Sequence, residues 1–142
     1  PAYADTSLLV SLYLADANTP AALAAVAKLA RPLILTTWQR FEMENALQLR
    51  LFRRESSPDD LAEAAERLQT DLMAGAVLAA PLPFPPVLTL ARRLTAAHTA
   101  LFGTRAFDVF HVAAALHLQA SAFLSFDTRQ LAFARSAGLR VA

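Results

Sequence analysis

The chain has 142 residues, 56% of them hydrophobic and 18% charged, with a formal net charge of +1. That composition excludes a disordered segment and suits one domain with its own core, while the lack of cysteine excludes disulfides, thiolate catalysis and sulfur-held metals. The three glycines (75, 103 and 138) cannot be written as a GxGxxG or Walker loop, and a near-neutral chain can meet nucleic acid only through local patches.

Tyr3-Ala4-Asp5 predicts a short strand, and Thr6-Ser7 opens a helix to about residue 15. A second helix is expected over about 20–30, started by Pro20 and broken by Arg31-Pro32. Leu33-Ile34-Leu35 predicts a buried strand. Long helices follow to about 54 and from about 57 to 73, Gly75 ending the second, with a strand over 76–78. Pro81, Pro83, Pro85 and Pro86 read as a stiff connector. A helix is expected over 87–101, and after Gly103 a very apolar helix opens near Asp108 and runs to about 118. A strand over 121–125, a helix from Asp127 to Gly138 and a last strand over 139–142 complete the order. Strands alternating with helices predict an α/β fold, with a mostly parallel central sheet between two helical layers, in a single domain over 1–142.

No basic region precedes an apolar run at the start of the sequence. The uncharged stretches 72–91 and 109–126 are interrupted by prolines and by polar residues such as His111 and Gln119. No membrane span is expected, and the expected location is cytoplasmic. Twelve arginines against one lysine suit bidentate phosphate contacts, although a GC-rich genome produces the same bias.

Six of the twelve acids lie between 55 and 71 and read as a solvated face; Asp16 and Glu44 also read as exposed. Four acids remain. Asp5 and Asp127 each end a strand and open a helix, where ligands gather in open α/β sheets, and where a plain helix cap also suits them. Asp108 stands at the mouth of an apolar helix, with capping again an alternative. Glu42 falls on a helical stripe with Trp38, Phe41, Asn45, Leu49 and Phe52 and is expected on the core face, where it needs a cation, a hydrogen bond or a proton. If the four converged they would repel one another, and a hard divalent cation would relieve that repulsion. Carboxylates without sulfur or imidazole suit Mg2+ or Mn2+, which can activate water against a phosphodiester. Spacing alone does not establish that they converge.

Convergence is implied by a resemblance. Tyr3-Ala4-Asp5-Thr6-Ser7, Phe41-Glu42-Met43-Glu44-Asn45-Ala46-Leu47, the segment from Phe107-Asp108 to Ala115, and Phe123-Leu124-Ser125-Phe126-Asp127-Thr128 together resemble the four acid-bearing segments of PIN-domain ribonucleases. They are most similar to the VapC-type toxins of bacterial toxin–antitoxin pairs. Each segment is weakly specific alone, but four in order over the whole chain are a strong signal. Ser125 departs from a common threonine, and His111 from an aliphatic residue. The resemblance implies a three-layer fold and metal-dependent cleavage of RNA by water. Asp5, Glu42 and Asp108 would be direct or water-bridged ligands of Mg2+ or Mn2+. Asp127 would be a ligand or an orienter of metal-bound water. Thr6 and Ser7 would bond the carboxylates or a phosphate, and Asn45 would orient Glu42. It also implies a homodimer and a cognate antitoxin, whose segment would lie along part of the helices carrying Leu8, Leu9, Leu12, Tyr13, Leu23, Val26 and Leu29 and block the metal site; ordinary helix–sheet packing is the alternative for those residues.

Among the remaining groups, His111 is one turn from Asp108 and is the only histidine with a case for touching substrate or water. Arg105 and Arg129 are the preferred phosphate contacts. Tyr3, Phe41, Phe107 and Phe126 lie beside the acids and are expected in the core, since stacking on bases requires exposure. No Gly-x-Ser-x-Gly elbow supports a serine triad. Ser7 stands where a haloacid-dehalogenase-like phosphatase has its second Asp. The rival readings are a PIN nuclease of RNA processing without a toxin role, and a non-catalytic binding module of the same fold.

Overall fold

The computed structural model describes residues 1–29 and 32–142; the expected end of the second helix, at Ala30-Arg31, lies outside the described residues. Alternation along the strands decides the layers. Strands β1 (Ala2–Ala4), β2 (Leu33–Thr36), β3 (Val77–Ala80) and β4 (Phe123–Leu124) form one sheet in the order β3-β2-β1-β4, with every pairing parallel. Successive side chains point to opposite faces. Ala2, Ala4, Leu33, Leu35 and Leu124 enter one core, and Tyr3, Ile34 and Phe123 enter the other.

The first face is covered by α1 (Thr6–Tyr13), α2 (Thr19–Ala27), α3 (Thr37–Phe52) and α4 (Pro58–Ala74). The second is covered by α5 (Phe84–Leu94), by α7 (Ala106–His117) and by α8 (Thr128–Ser136). A π-helical turn (Thr95–Thr99) carries α5 into the short α6 (Ala100–Phe102). This is the expected α/β architecture with a parallel sheet between helical layers. Among the described residues no helix is long and apolar enough to cross a membrane.

Several expectations change at the level of elements. Pro85 and Pro86 belong to the first turn of α5, where a missing N–H costs no helical bond. The last strand shrinks to a single parallel bridge from Val141 to Phe123. Strand 121–125 shrinks to Phe123–Leu124, and Ser125 just beyond it turns its hydroxyl to Asp5. Most of the apolar residues expected to face a partner on α1 and α2 serve the fold's own packing instead, although Leu29 still lines a cavity along α2. Leu8, Leu9, Leu12 and Tyr13 are buried where α1 is wedged among α2, α3 and α4, and Val26 and Leu29 pack on the same core. Only Leu23 of that set is exposed.

Two acids expected in solvent are partnered. Asp16 accepts from Ser11 at 2.8 Å and from Arg50 at 2.7 Å, and Asp71 accepts the Tyr13 hydroxyl at 2.8 Å, tying α4 to α1. Tyr13→Phe is expected to lower the unfolding free energy by about 1 kcal/mol. A urea titration reads this as a lower midpoint; an unchanged midpoint would mean that water serves Asp71 equally well.

Topology places the crevice. From β1 the chain moves outward through β2 to β3, while β4 pairs on the opposite side of β1. The carboxyl ends of β1 and β4 therefore flank the switch point of the sheet, where open parallel sheets bind ligands.

Candidate active site

Asp5 follows β1 at this point and caps α1. One oxygen accepts from the Leu8 amide at 2.9 Å and the Ser7 hydroxyl at 3.0 Å; the other accepts from the Ser125 hydroxyl at 2.7 Å, across the switch point. Ser125 Oγ in turn accepts the Asp127 amide at 2.9 Å. Burial raises the pKa of Asp5 above 3.8, more than its three hydrogen bonds and the His111 ring lower it.

Asp127 caps α8 through one oxygen, which accepts from the Arg129 and Gln130 amides at 2.8 and 3.1 Å. Its other oxygen has no partner among the described residues. For both acids the capping geometry is real, and it leaves each carboxylate facing the same crevice. Asp108 stands in the first turn of α7, 3.0 Å from Arg105 Nε.

Glu42 reaches the crevice from the second turn of α3, but not from a core face. The core face of α3 carries Gln39, Met43 and Leu47. The stripe shared by Glu42 looks outward, with Phe41, Leu49 and Phe52 exposed. The physical reason is that Gln39, Met43 and Leu47 take the buried side of α3, so the stripe carrying Glu42 walls a groove beside α1 instead. Glu44 pairs with Arg40 in solvent.

Glu42 Oε2 accepts from Thr6 Oγ1 at 2.6 Å and lies 2.9 Å from His111 Nε2. The other ring nitrogen, Nδ1, is 2.9 Å from the Tyr3 hydroxyl. Burial, together with the nearby charges of Glu42 and Asp5, pushes the Tyr3 pKa well up. Tyr3 therefore keeps its proton, and the His111 ring bridges its hydroxyl to the Glu42 carboxylate. Burial alone would raise the pKa of Glu42, but the hydrogen bond and charge of His111 and the bond from Thr6 overcome it, and the net direction is down. The indole N–H of Trp38 has no acceptor within bonding distance, yet it favours the same charged state.

Asp5, Thr6, Ser7, Glu42, Asp108 and Asp127 thus line one cavity of about 610 Å³, with Arg105 at its mouth. Asn45 lies outside this cavity and makes no hydrogen bond to Glu42 among the described residues; it faces the neighbouring groove. Arg129 is also outside, its guanidinium 3.4 Å from the Gly103 carbonyl. His98 bonds Ser136 at 2.7 Å, away from the acids, and His117 is exposed.

Sequence reasoning did not find the work of Tyr3, Ser125 or Gln130. Gln130 is buried against the cavity with its carbonyl oxygen unpartnered. Its only signal in the sequence was its spacing of three from a capping Asp, which reads as a capping box.

A family model described as PIN domain matches residues 2–137. The chain belongs to the PIN-domain family. A solved structure, FitAcB from Neisseria gonorrhoeae, matches this PIN domain with a TM-score of 0.67 and 18% identity, covering 99% of this chain and 96% of that one. No curated protein matches the sequence. The fold of this PIN domain and its nuclease-type family therefore agree with the crevice found at the switch point.

The donor set suits a hard divalent cation: it is all oxygen, and three of its acids, Asp5, Glu42 and Asp108, are buried or half-buried. Among the described residues, no three acids or histidines stand close enough to grip one ion directly. Mg2+ fits such a site because it is held by one or two carboxylates and retains several waters.

Proposed function

We propose that this PIN domain is a Mg2+- or Mn2+-dependent endoribonuclease, acting as a single domain over 1–142 in the cytoplasm, and the toxin of a VapC-type toxin–antitoxin pair. The observation that carries this reading is the lining of one cavity by four acids, from the starts of α1 and α8 and from α3 and α7. A cavity with that much negative charge, in a protein whose family is generally nucleolytic, needs a cation before it can admit a phosphate.

Asp5, Glu42, Asp108 and Asp127 would hold the cation, directly or through water. The ion would supply charge for the phosphoryl oxygens and a more acidic water. The chain's own groups do the rest. Ser7 and Ser125 hold the two oxygens of Asp5, and Thr6 and His111 hold Glu42. Asp127, capped through one oxygen, offers the other to orient the attacking water. Arg105, exposed at the mouth, gives up its bond to Asp108 to meet a phosphate. The partners in this reading are an RNA substrate, an antitoxin protein and a second copy of the chain.

Purified wild type is expected to cleave RNA with Mg2+ or Mn2+ and to stop on chelation, and Glu42→Gln is expected to leave RNA intact. Overexpression of both, with sequencing of RNA ends, reads toxicity and target together. The metal should also raise the melting temperature, by about 2.7 kcal/mol of stability at a hundredfold excess over Kd. Equal RNA ends from the two forms would sink the assignment. A small DNA-binding protein encoded beside this chain favours the toxin over a nuclease of RNA processing.

A further inference from the structure

A second cavity, of about 530 Å³, runs between α1 and α3 and shares Thr6, Ser7, Glu42 and Phe107 with the acid cavity. Its walls contradict the expected core position for two of the four aromatics beside the acids, whereas Tyr3 is buried and Phe126 packs on the first core as expected. Phe41, next to Glu42, is 59% exposed, and Phe107, next to Asp108, is 61% exposed. Trp38 stands between them, its ring centroid 5.7 Å from Phe41 and 5.6 Å from Phe107. Two phenylalanines thus stay exposed on the walls of a groove that adjoins the acids.

We propose that this groove is a nucleobase subsite, in which a base of single-stranded RNA next to the scissile phosphate stacks on Phe41 and Phe107. The inference rests on the ribonuclease reading above. Three features favour a nucleotide over an apolar peptide helix. The exposed apolar surface nearest the acids is aromatic, and every base has a π-face to lay on it. Asn45, whose amide has no hydrogen-bond partner among the described residues, lies on the same wall and can donate to and accept from a base edge. Arg53, exposed and with no side-chain partner among the described residues, also lines the groove, opposite in sign to the acids and suited to the next phosphate. The volume admits about one nucleotide, so the subsite selects unpaired RNA.

The test uses the full chain carrying Asp5→Asn, so that RNA stays uncut, and a single-stranded RNA dodecamer with 2-aminopurine at successive positions. Aminopurine fluorescence should fall on binding at one or two positions. Phe41→Leu and Phe107→Leu, both at exposed sites, should weaken binding about tenfold with no change in melting temperature or in salt slope, and Phe41→Trp should restore it. Arg53→Gln should make the salt slope shallower by about one. In the active chain, the two Leu variants should raise KM more than they lower kcat. Wild type that cleaves RNA alongside Leu variants that bind and cleave equally well would overturn the subsite alone. Wild type that neither binds nor cleaves RNA would overturn it together with the ribonuclease reading. Leu variants that keep RNA affinity but lose self-association or a protein partner would assign the groove to protein, and also overturn it.

Discussion

Asp5→Asn is expected to abolish RNA cleavage while leaving the metal-free protein at least as stable as the wild type at neutral pH. The loss of activity follows from removing one of four charges that would hold the cation. The stability follows from burial. Asp5 is only 7% exposed, and burial dominates the upward shift of its pKa from 3.8. A carboxyl whose folded pKa lies above its unfolded value costs stability once the pH has risen through the folded value. Below 3.8 both states are protonated and the cost vanishes.

Asparagine removes the charge yet keeps an acceptor for the Leu8 amide, and it caps helices about as well as aspartate. The advantage of the variant should therefore be absent near pH 3 and grow toward pH 7. Thermal melts of both proteins in chelator across that range read it. A large loss of stability at pH 7 would show Asp5 to be chiefly a structural cap. Retained cleavage would remove it from the chemistry.

The second large effect is on His111. His111→Leu is expected to cost about 2–6 kcal/mol, since two groups lose a partner at about 1–3 kcal/mol each. One is the fully buried hydroxyl of Tyr3, the other the Glu42 carboxylate, whose side chain is 20% exposed. Adding Tyr3→Phe should recover part of the loss, because replacing both partners of a buried bond is cheaper than orphaning one.

The pH dependence has the opposite sign to that of Asp5. Burial disfavours the charge on Glu42, but His111 and Thr6 lower its pKa below 4.5 overall. That stabilisation is fully present above 4.5 and is lost as the pH falls through the lower folded value. The gap between wild type and His111→Leu should therefore narrow in acid. A gap of equal size at pH 3 and pH 7 would mean that His111 fills space without holding Glu42. Cleavage should fall as well, because Glu42 would keep only the bond from Thr6.

Much of this arrangement was legible in the residues, and the failures share a cause. Asp5 and Asp127 could be assigned to strand ends because a short apolar run followed by Asp-Thr has few other readings. Glu42 could be separated from Glu44 by its neighbours on the helical wheel, yet its stripe was assigned to the wrong environment. A wheel reports which residues share a face but not what that face meets, and α3 carries apolar residues on two sides. The same ambiguity turned the buried helix α1 into an expected partner groove, and turned exposed Phe41 and Phe107 into expected core. Asp16 and Asp71 were misread because their partners, Arg50 and Tyr13, lie 34 and 58 residues away.

The amino-acid sequence by itself determined the order of elements, the parallel sheet and which acids close a strand or open a helix, because these follow from local periodicity and capping chemistry. Only the tertiary structure decided that Ser125 would bond Asp5 over a separation of 120 residues, that His111 would link Tyr3 to Glu42, and that two phenylalanines would stay open beside the acids. Those outcomes depend on which faces meet when the layers close on the sheet, and contact between distant segments leaves no period in the chain to read.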